Sequence, residues 1–328
     1  LVFGLPLVAG MAVTHAFVPP TPGPVAVAYF LNVNLGYVIG FGVLVGLPTA
    51  IICGPFLCSR MAKLVEVTTP TDQREDLTSE EKKLPSFLQI ASLIALPIAL
   101  ILAGTIVEQS AISGIDPGLT KAERNAQVAD ILNSMPTTNQ VIHFLGHPVI
   151  ALMISTLLAI FFLGISRGTS KEDLVEISTK ALGPAGIIIL ITGAGGVFKG
   201  VLIATGIADA LKEVFIGSPI PIIVLAYIFA TLVRIAQGSA TVAMLTAAGL
   251  MASFVEGFTQ PYLALIACAI AAGATGFSHV NDSGFWMISR YLGMTEKQTL
   301  KTWTVISTAI SLVSFGIILI LSLFIPMK

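Results

Sequence analysis

The first 59 residues carry no lysine, arginine, aspartate or glutamate. No water-facing surface is built that way, since soluble domains carry roughly 25% charged residues. The rest of the chain follows the same rule: 55% of its 328 residues are hydrophobic and 11% are charged, and mean hydropathy is +0.92. Its apolar runs have the ~20-residue length of a helix crossing a bilayer. An all-α polytopic membrane protein is therefore expected, with the lipid bilayer as its surroundings. A net charge of −1 gives no reason to expect nucleic acid as a partner. Cys53, Cys58 and Cys268 lie in or beside apolar runs at no metal-ligand spacing and read as small core residues. No metal or cofactor is expected. The sequence opens on Leu1 in mid-apolar text, so a missing N-terminal portion is expected.

Two places in this text resist a continuous helix. Residues 14–24 read Thr-His-Ala-Phe-Val-Pro-Pro-Thr-Pro-Gly-Pro, with four prolines in six positions. Proline removes a backbone donor and restricts the residue before it, which predicts a broken span and forbids an α-helix there. Residues 277–286 read Phe-Ser-His-Val-Asn-Asp-Ser-Gly-Phe-Trp, placing His279, Asn281, Asp282 and Ser283 together between Gly276 and Gly284. Irregular polar backbone at membrane depth survives only where it lines a cavity or is buried in protein. Both breaks are thus candidate binding sites.

Complete spans are expected at Leu35–Leu57, Phe87–Val107, Val149–Ile165 and Val305–Ile325, with Gly183–Ala204 as a further crossing. The connections 59–85, 166–182 and 290–303 hold five, three and three basic residues, whereas the longer 108–147 holds two. The first three are therefore assigned to the cytoplasm. Parity closes if 219–256 is a re-entrant hairpin turning at Arg234–Thr241 and 261–289 is one broken crossing. A plain pair of crossings keeps the same parity, but the short apolar lengths and polar turn favour the hairpin. The two breaks then run in opposite senses, each followed by a short connection and a full span, as an inverted repeat predicts. On this reading 1–85 is the remainder of the first repeat. Residues 86–182 are connecting spans and an external loop, and 183–328 form the second repeat.

Four stretches carry a resemblance: Val13–Pro24, Gly195–Lys199 (Gly-Gly-Val-Phe-Lys), Leu232–Ala243 and Phe277–Trp286. Together they resemble the gluconate permease (GntP) family of bacterial proton symporters, over nearly the whole chain. The resemblance implies an inverted-repeat ion-transporter fold with a re-entrant hairpin and broken helices. It also implies the bacterial inner membrane, a homodimeric assembly, and a first repeat lacking the partner of the 234–241 hairpin. In that group a Ser-Asn-Thr-like triplet at each hairpin tip binds substrate or ion, and Ser239-Ala240-Thr241 is similar to it, with alanine in the middle. Thr21 stands where familiar gluconate transporters have histidine, and 108–147 looks longer than in those relatives.

Arg234 is costly at membrane depth, ~2.5–3.5 kcal/mol on insertion scales. It reads either as the counter-charge of a substrate carboxylate or as a structural partner of Asp282 or a backbone carbonyl. Gly238, Ser239 and Thr241 offer hydroxyls and N–H groups, or ordinary helix-cap chemistry. Asn281, Asp282 and Ser283 are candidate substrate contacts, with capping of a helix near Ser283 as the plainer role for Asp282. Asp282 and His279 are candidate proton carriers. His15, Thr21 and Gly23 are the matching candidates in the first half; a satisfied buried histidine is the plainer reading of His15. The expected function is proton-coupled import of gluconate or a similar small hydroxylated monocarboxylate anion. D-Serine, another amino or organic acid, or sodium coupling are the alternatives. Asp282 is the only aspartate within the apolar text, and the sequence lacks an HExxH motif, which argues against an intramembrane enzyme.

Overall fold

The computed structural model describes residues 1–65, 67, 84–112, 121–205, 220–255 and 257–327. Most of the connection 59–85, nearly all of 205–218, and Glu256 lie outside the described residues, as does the side chain of Lys199. The chain divides into two compact units, residues 1–80 with 186–328, and residues 81–185.

The first unit opens with α1 (Gly4–Phe17), a break at 18–21, α2 (Pro22–Leu31) and the long α3 (Leu35–Leu64). The prolines do less than the sequence suggested. Helix α1 runs on through Thr14 and His15, and Pro22 and Pro24 occupy the first turn of α2. There a missing N–H costs nothing and a fixed φ favours the helix. Asn32, in the left-handed region at φ 55°, ends α2. Asn34 then caps α3 by accepting from the Gly36 N–H at 2.8 Å. Within α3, residues Ile52–Cys58 form a π segment containing Pro55.

The second half of this unit holds α9 (Ile222–Gln237), α10 (Ala240–Met251), α11 (Gln260–Thr275), α12 (Ser283–Tyr291) and α13 (Glu296–Ser322). Each start has a local cause. Ser239 caps α10, Thr259 caps α11 and Asp282 caps α12, while Thr295 and Gln298 form a capping box at α13. At ~1.5 Å per residue, α9 and α10 reach about 24 and 18 Å, short of a ~30 Å hydrocarbon layer. By contrast α3, at 30 residues, and α13, at 27, exceed it.

Helix α11 is the core of the unit: every residue from Tyr262 to Thr275 is buried. Helices α1, α3, α9 and α13 pack around it, and α10 packs on both α11 and α2. Gly273 allows the α9 backbone to come close, since a Cβ there would strike the Tyr227 carbonyl. Tyr227 stacks on Phe315 of α13 with centroids 3.9 Å apart, and its hydroxyl is 2.9 Å from Ser311 Oγ. Gln260, at the head of α11, ties in the α2–α3 turn: its Oε1 accepts from the Asn34 N–H at 2.7 Å and its Nε2 donates to the Asn32 carbonyl at 3.2 Å.

The two halves share an order of parts. A helix of 14 or 16 residues, a break, a helix of 10 or 9, and a short turn lead to a long helix. Each long helix carries a π segment, at Ile52–Cys58 and Leu300–Thr304.

The second unit contains α4 (Phe87–Ile112), α5 (Lys121–Ser134), α6 (Thr137–Leu145) and α7 (Pro148–Arg167), and it takes in the start of α8 (Lys171–Ala204). Gly104 and Gly146 let α4 and the end of α6 touch backbone to backbone: a Cβ on Gly146 would lie 2.6 Å from the Gly104 Cα. Ile94, Ile106, Met153 and Leu157 are exposed on α4 and α7, a surface suited to lipid. Residues 166–182, expected as a connection, are helical from Lys171 onward. Glu172 and Asp173 sit in the first turn, where the helix dipole favours them, and Lys180 pairs with Glu176 at 2.6 Å. The chain therefore enters the next apolar stretch without leaving the helix.

Among the described residues four helices are long and apolar enough to cross a membrane: Leu35–Leu64, Phe87–Ala111, Pro148–Arg167 and Glu296–Ser322. The molecule is an all-α, multi-pass membrane protein.

Candidate functional site

Arg234 lies one turn from the end of α9, and only 3% of it is exposed. A buried cation is tolerable only when paired and hydrogen-bonded, and here all three guanidinium nitrogens are engaged. Nε donates to the Gly276 carbonyl at 3.2 Å, Nη1 to the Gly238 carbonyl, and Nη2 to Asp282 Oδ2 at 2.5 Å. Asp282 is 8% exposed. Both partners that the sequence offered for Arg234, the carboxylate and a hairpin carbonyl, are thus used together. Asp282 is also the cap of α12: its Oδ1 accepts from the Gly284 N–H at 2.9 Å. Oδ2 accepts a second bond, from Ser278 Oγ at 2.5 Å.

The turn that makes this possible is Gly238, whose φ of 77° ends α9 in the left-handed region. A Cβ there would strike the Asn281 carbonyl, so the hairpin tip rests directly on the break before α12. Asn281 fastens the contact by donating from Nδ2 to the Ile235 carbonyl at 2.9 Å. The N-terminal ends of α10 and α12, each with a positive dipole end, thereby lie side by side at the ion pair. Ser239 and Thr241 are half-buried at the start of α10, and Asn281 and Ser283 are exposed at the start of α12. Ser239 accepts from the Val242 N–H at 3.3 Å, so its capping role is real. His279 is half-buried, with Nδ1 2.8 Å from the Phe277 carbonyl. Phe277 holds φ at 53°, a strained value for a residue with a side chain.

The first-half candidates are placed differently. Gly23 is buried against α10, where a Cβ would come within 2.5 Å of Met244 Sδ. Thr21 closes its own break by donating from Oγ1 to the Val18 carbonyl at 2.9 Å. His15 is exposed on α1, and among the described residues no hydrogen bond joins it to Arg234 or Asp282.

Sequence reasoning did not single out Ser278, Trp303, Thr304 or Ser307. Trp303 Nε1 donates to Ser278 Oγ at 2.8 Å, Thr304 Oγ1 donates to the Ser278 carbonyl at 2.5 Å, and the Ser278 N–H donates to Ser307 Oγ at 3.2 Å. Ser278 stood inside the polar motif and was visible in principle. Trp303 carried no signal, because a tryptophan in a membrane helix is unremarkable.

The arrangement brings a buried cation, a carboxylate and the N-terminal ends of two helices together. No solved structure matches the chain. Among curated proteins, the low-affinity gluconate transporter of Escherichia coli K12 is 38% identical over 311 residues, covering 94% of this chain and 65% of that protein. The gluconate permease of Pseudomonas aeruginosa is 32% identical over 322 residues, covering 98% and 67%. That of Bacillus subtilis is 34% identical over 330 residues, covering 98% and 69%. The chain thus spans about two thirds of the length of these relatives. Residues 1–324 match the GntP family permease model, and the chain accordingly belongs to the GntP family, a family of transporters and not of enzymes.

Proposed function

We propose that the chain forms the substrate-binding body of a secondary carrier for small hydroxylated monocarboxylates such as gluconate, coupled to protons. The observation that carries this reading is the buried Arg234, held at the junction of two helix ends and shared with one carboxylate. Asp282 occupies the guanidinium as a substrate carboxylate would. A proton delivered to Asp282 weakens its claim on Nη2 and opens the fork to the incoming anion; loss of that proton on the other side restores the pair. One proton and one anion then move together. Ser239, Thr241, Asn281 and Ser283 supply hydroxyl and amide groups for the hydroxyls of the substrate. His279 is the second proton-bearing group beside them.

Two alternatives fit less well. A zwitterion such as D-serine wants an ionised carboxylate for its ammonium group, and in this mechanism Asp282 carries the proton while the substrate is bound. A dicarboxylate wants a second buried cation, and Arg234 is the only buried Lys or Arg among the described residues. The three relatives described above carry gluconate in their names, and an Escherichia coli relative 33% identical over 315 residues is named an L-idonate transporter. These are sugar acids with one carboxylate and several hydroxyls.

Alternating access needs two elements that move around a fixed site. The shared order of parts in the two halves supports an inverted repeat, and the shortness of α9 and α10 supports a re-entrant hairpin. A homodimer in the bacterial cytoplasmic membrane completes the proposal. The test is uptake of labelled gluconate into proteoliposomes, with sugar acids, D-serine and dicarboxylates as competitors. Inhibition by sugar acids alone, and loss of accumulation when the proton gradient is collapsed, is expected. Uptake indifferent to the gradient would rule out the coupling.

A further inference from the structure

Ser278 is 1% exposed and takes part in four hydrogen bonds. Three of its partners, Trp303, Thr304 and Ser307, belong to α13, and two of these lie in the π segment Leu300–Thr304. Such local widenings of a helix recur at functional sites. The direction of the relay is set by chemistry. An indole N–H is donor only, so Ser278 Oγ has to accept from Trp303. A hydroxyl has one proton, which is then committed to Asp282 Oδ2. The same Oδ2 receives Arg234 Nη2.

We propose that Ser278 and Trp303 are positioning residues that hold Asp282 on Arg234, and so set how hard a substrate carboxylate must compete for the guanidinium. The relay rests on the reading of Arg234 and Asp282 given above. It makes α13 the element that registers the exchange, because releasing Asp282 frees the proton of the very hydroxyl whose oxygen accepts from the Trp303 indole. Removing the relay weakens Asp282 as a competitor. The substrate then binds more tightly while the coupling loosens.

The test is the kinetics of gluconate uptake by the intact protein in proteoliposomes. Ser278→Ala should lower KM about tenfold, the size expected of one hydrogen bond to a charged group, and reduce proton-driven accumulation. Ser278→Thr, which keeps the hydroxyl, should restore both. Trp303→Phe, which keeps a ring without the donor, should lower KM about threefold. In protein whose only tryptophan is Trp303, saturating gluconate should shift the indole emission, and Ser278→Ala should abolish that shift. A purely structural serine would lower kcat or yield and leave KM unchanged or raised; that outcome, or emission blind to gluconate, would overturn the relay. Arg234→Gln separates the two levels. If it leaves gluconate KM unchanged, the site reading falls and the relay with it. If it abolishes binding while Ser278→Ala leaves KM unmoved, the relay alone falls.

Discussion

A guanidinium sealed from water leaves little freedom in what surrounds it. Truncating Arg234 removes the partner of a buried carboxylate, and breaking such pairs costs ~3–5 kcal/mol. Arg234→Gln should therefore destabilise the protein as well as disable it, seen as a lower midpoint of thermal unfolding in detergent. Arg234→Gln with Asp282→Asn removes both charges and should recover part of that loss; no recovery would mean that the pair is not the source of the cost. At this scale the sequence was informative wherever a residue was expensive. Arg234 and Asp282 stood out because charge in apolar text needs a reason. Ser278 and Trp303 did not, because their energetic role comes from partners 25 residues apart, which no local pattern encodes. His15, the matching candidate in the first half, is exposed on α1. A rare residue type marks a position, not a contact.

At the level of elements, the hairpin tip is the most constrained turn. Gly238→Ala meets two penalties: a left-handed backbone conformation, ~1–2 kcal/mol for a residue with a Cβ, and collision with the Asn281 carbonyl. It should cost gluconate uptake and lower the unfolding midpoint. Gly10→Ala, in α1 with open space around it, should be neutral or stabilising by up to ~1 kcal/mol. Equal effects from the two would contradict the tip contact. Both breaks were legible, since glycine and proline act locally and leave the same mark in text and backbone. The extent of the helices around them was less so. Prolines at 22 and 24 start α2 instead of excluding it, and 171–182 is helical because its charges support a helix's first turns. Polarity alone does not separate a connection from an exposed helix end.

For the molecule as a whole, we propose from the basic residues that 166–182 and 290–303 face the cytoplasm and 108–147 the outside. The native cysteines are buried, so introduced ones give a clean readout. Ser170→Cys and Thr295→Cys should react with an impermeant maleimide only from the cytoplasmic side, and Ser134→Cys only from outside. Labelling of Ser134 and Ser170 from the same side would refute the orientation. The membrane class was fully legible, because it follows from composition. The packing of α1, α3, α9 and α13 around α11 was not, since every face of α11 is apolar and hydropathy gives it no direction. The central claim is that Asp282 and the substrate share Arg234 and that the proton travels on Asp282. Its most direct test is gluconate-driven acidification inside proteoliposomes carrying Asp282→Asn. Exchange of labelled gluconate should persist with no accompanying proton movement; acidification at the unaltered protein's proton-to-gluconate ratio would contradict the account.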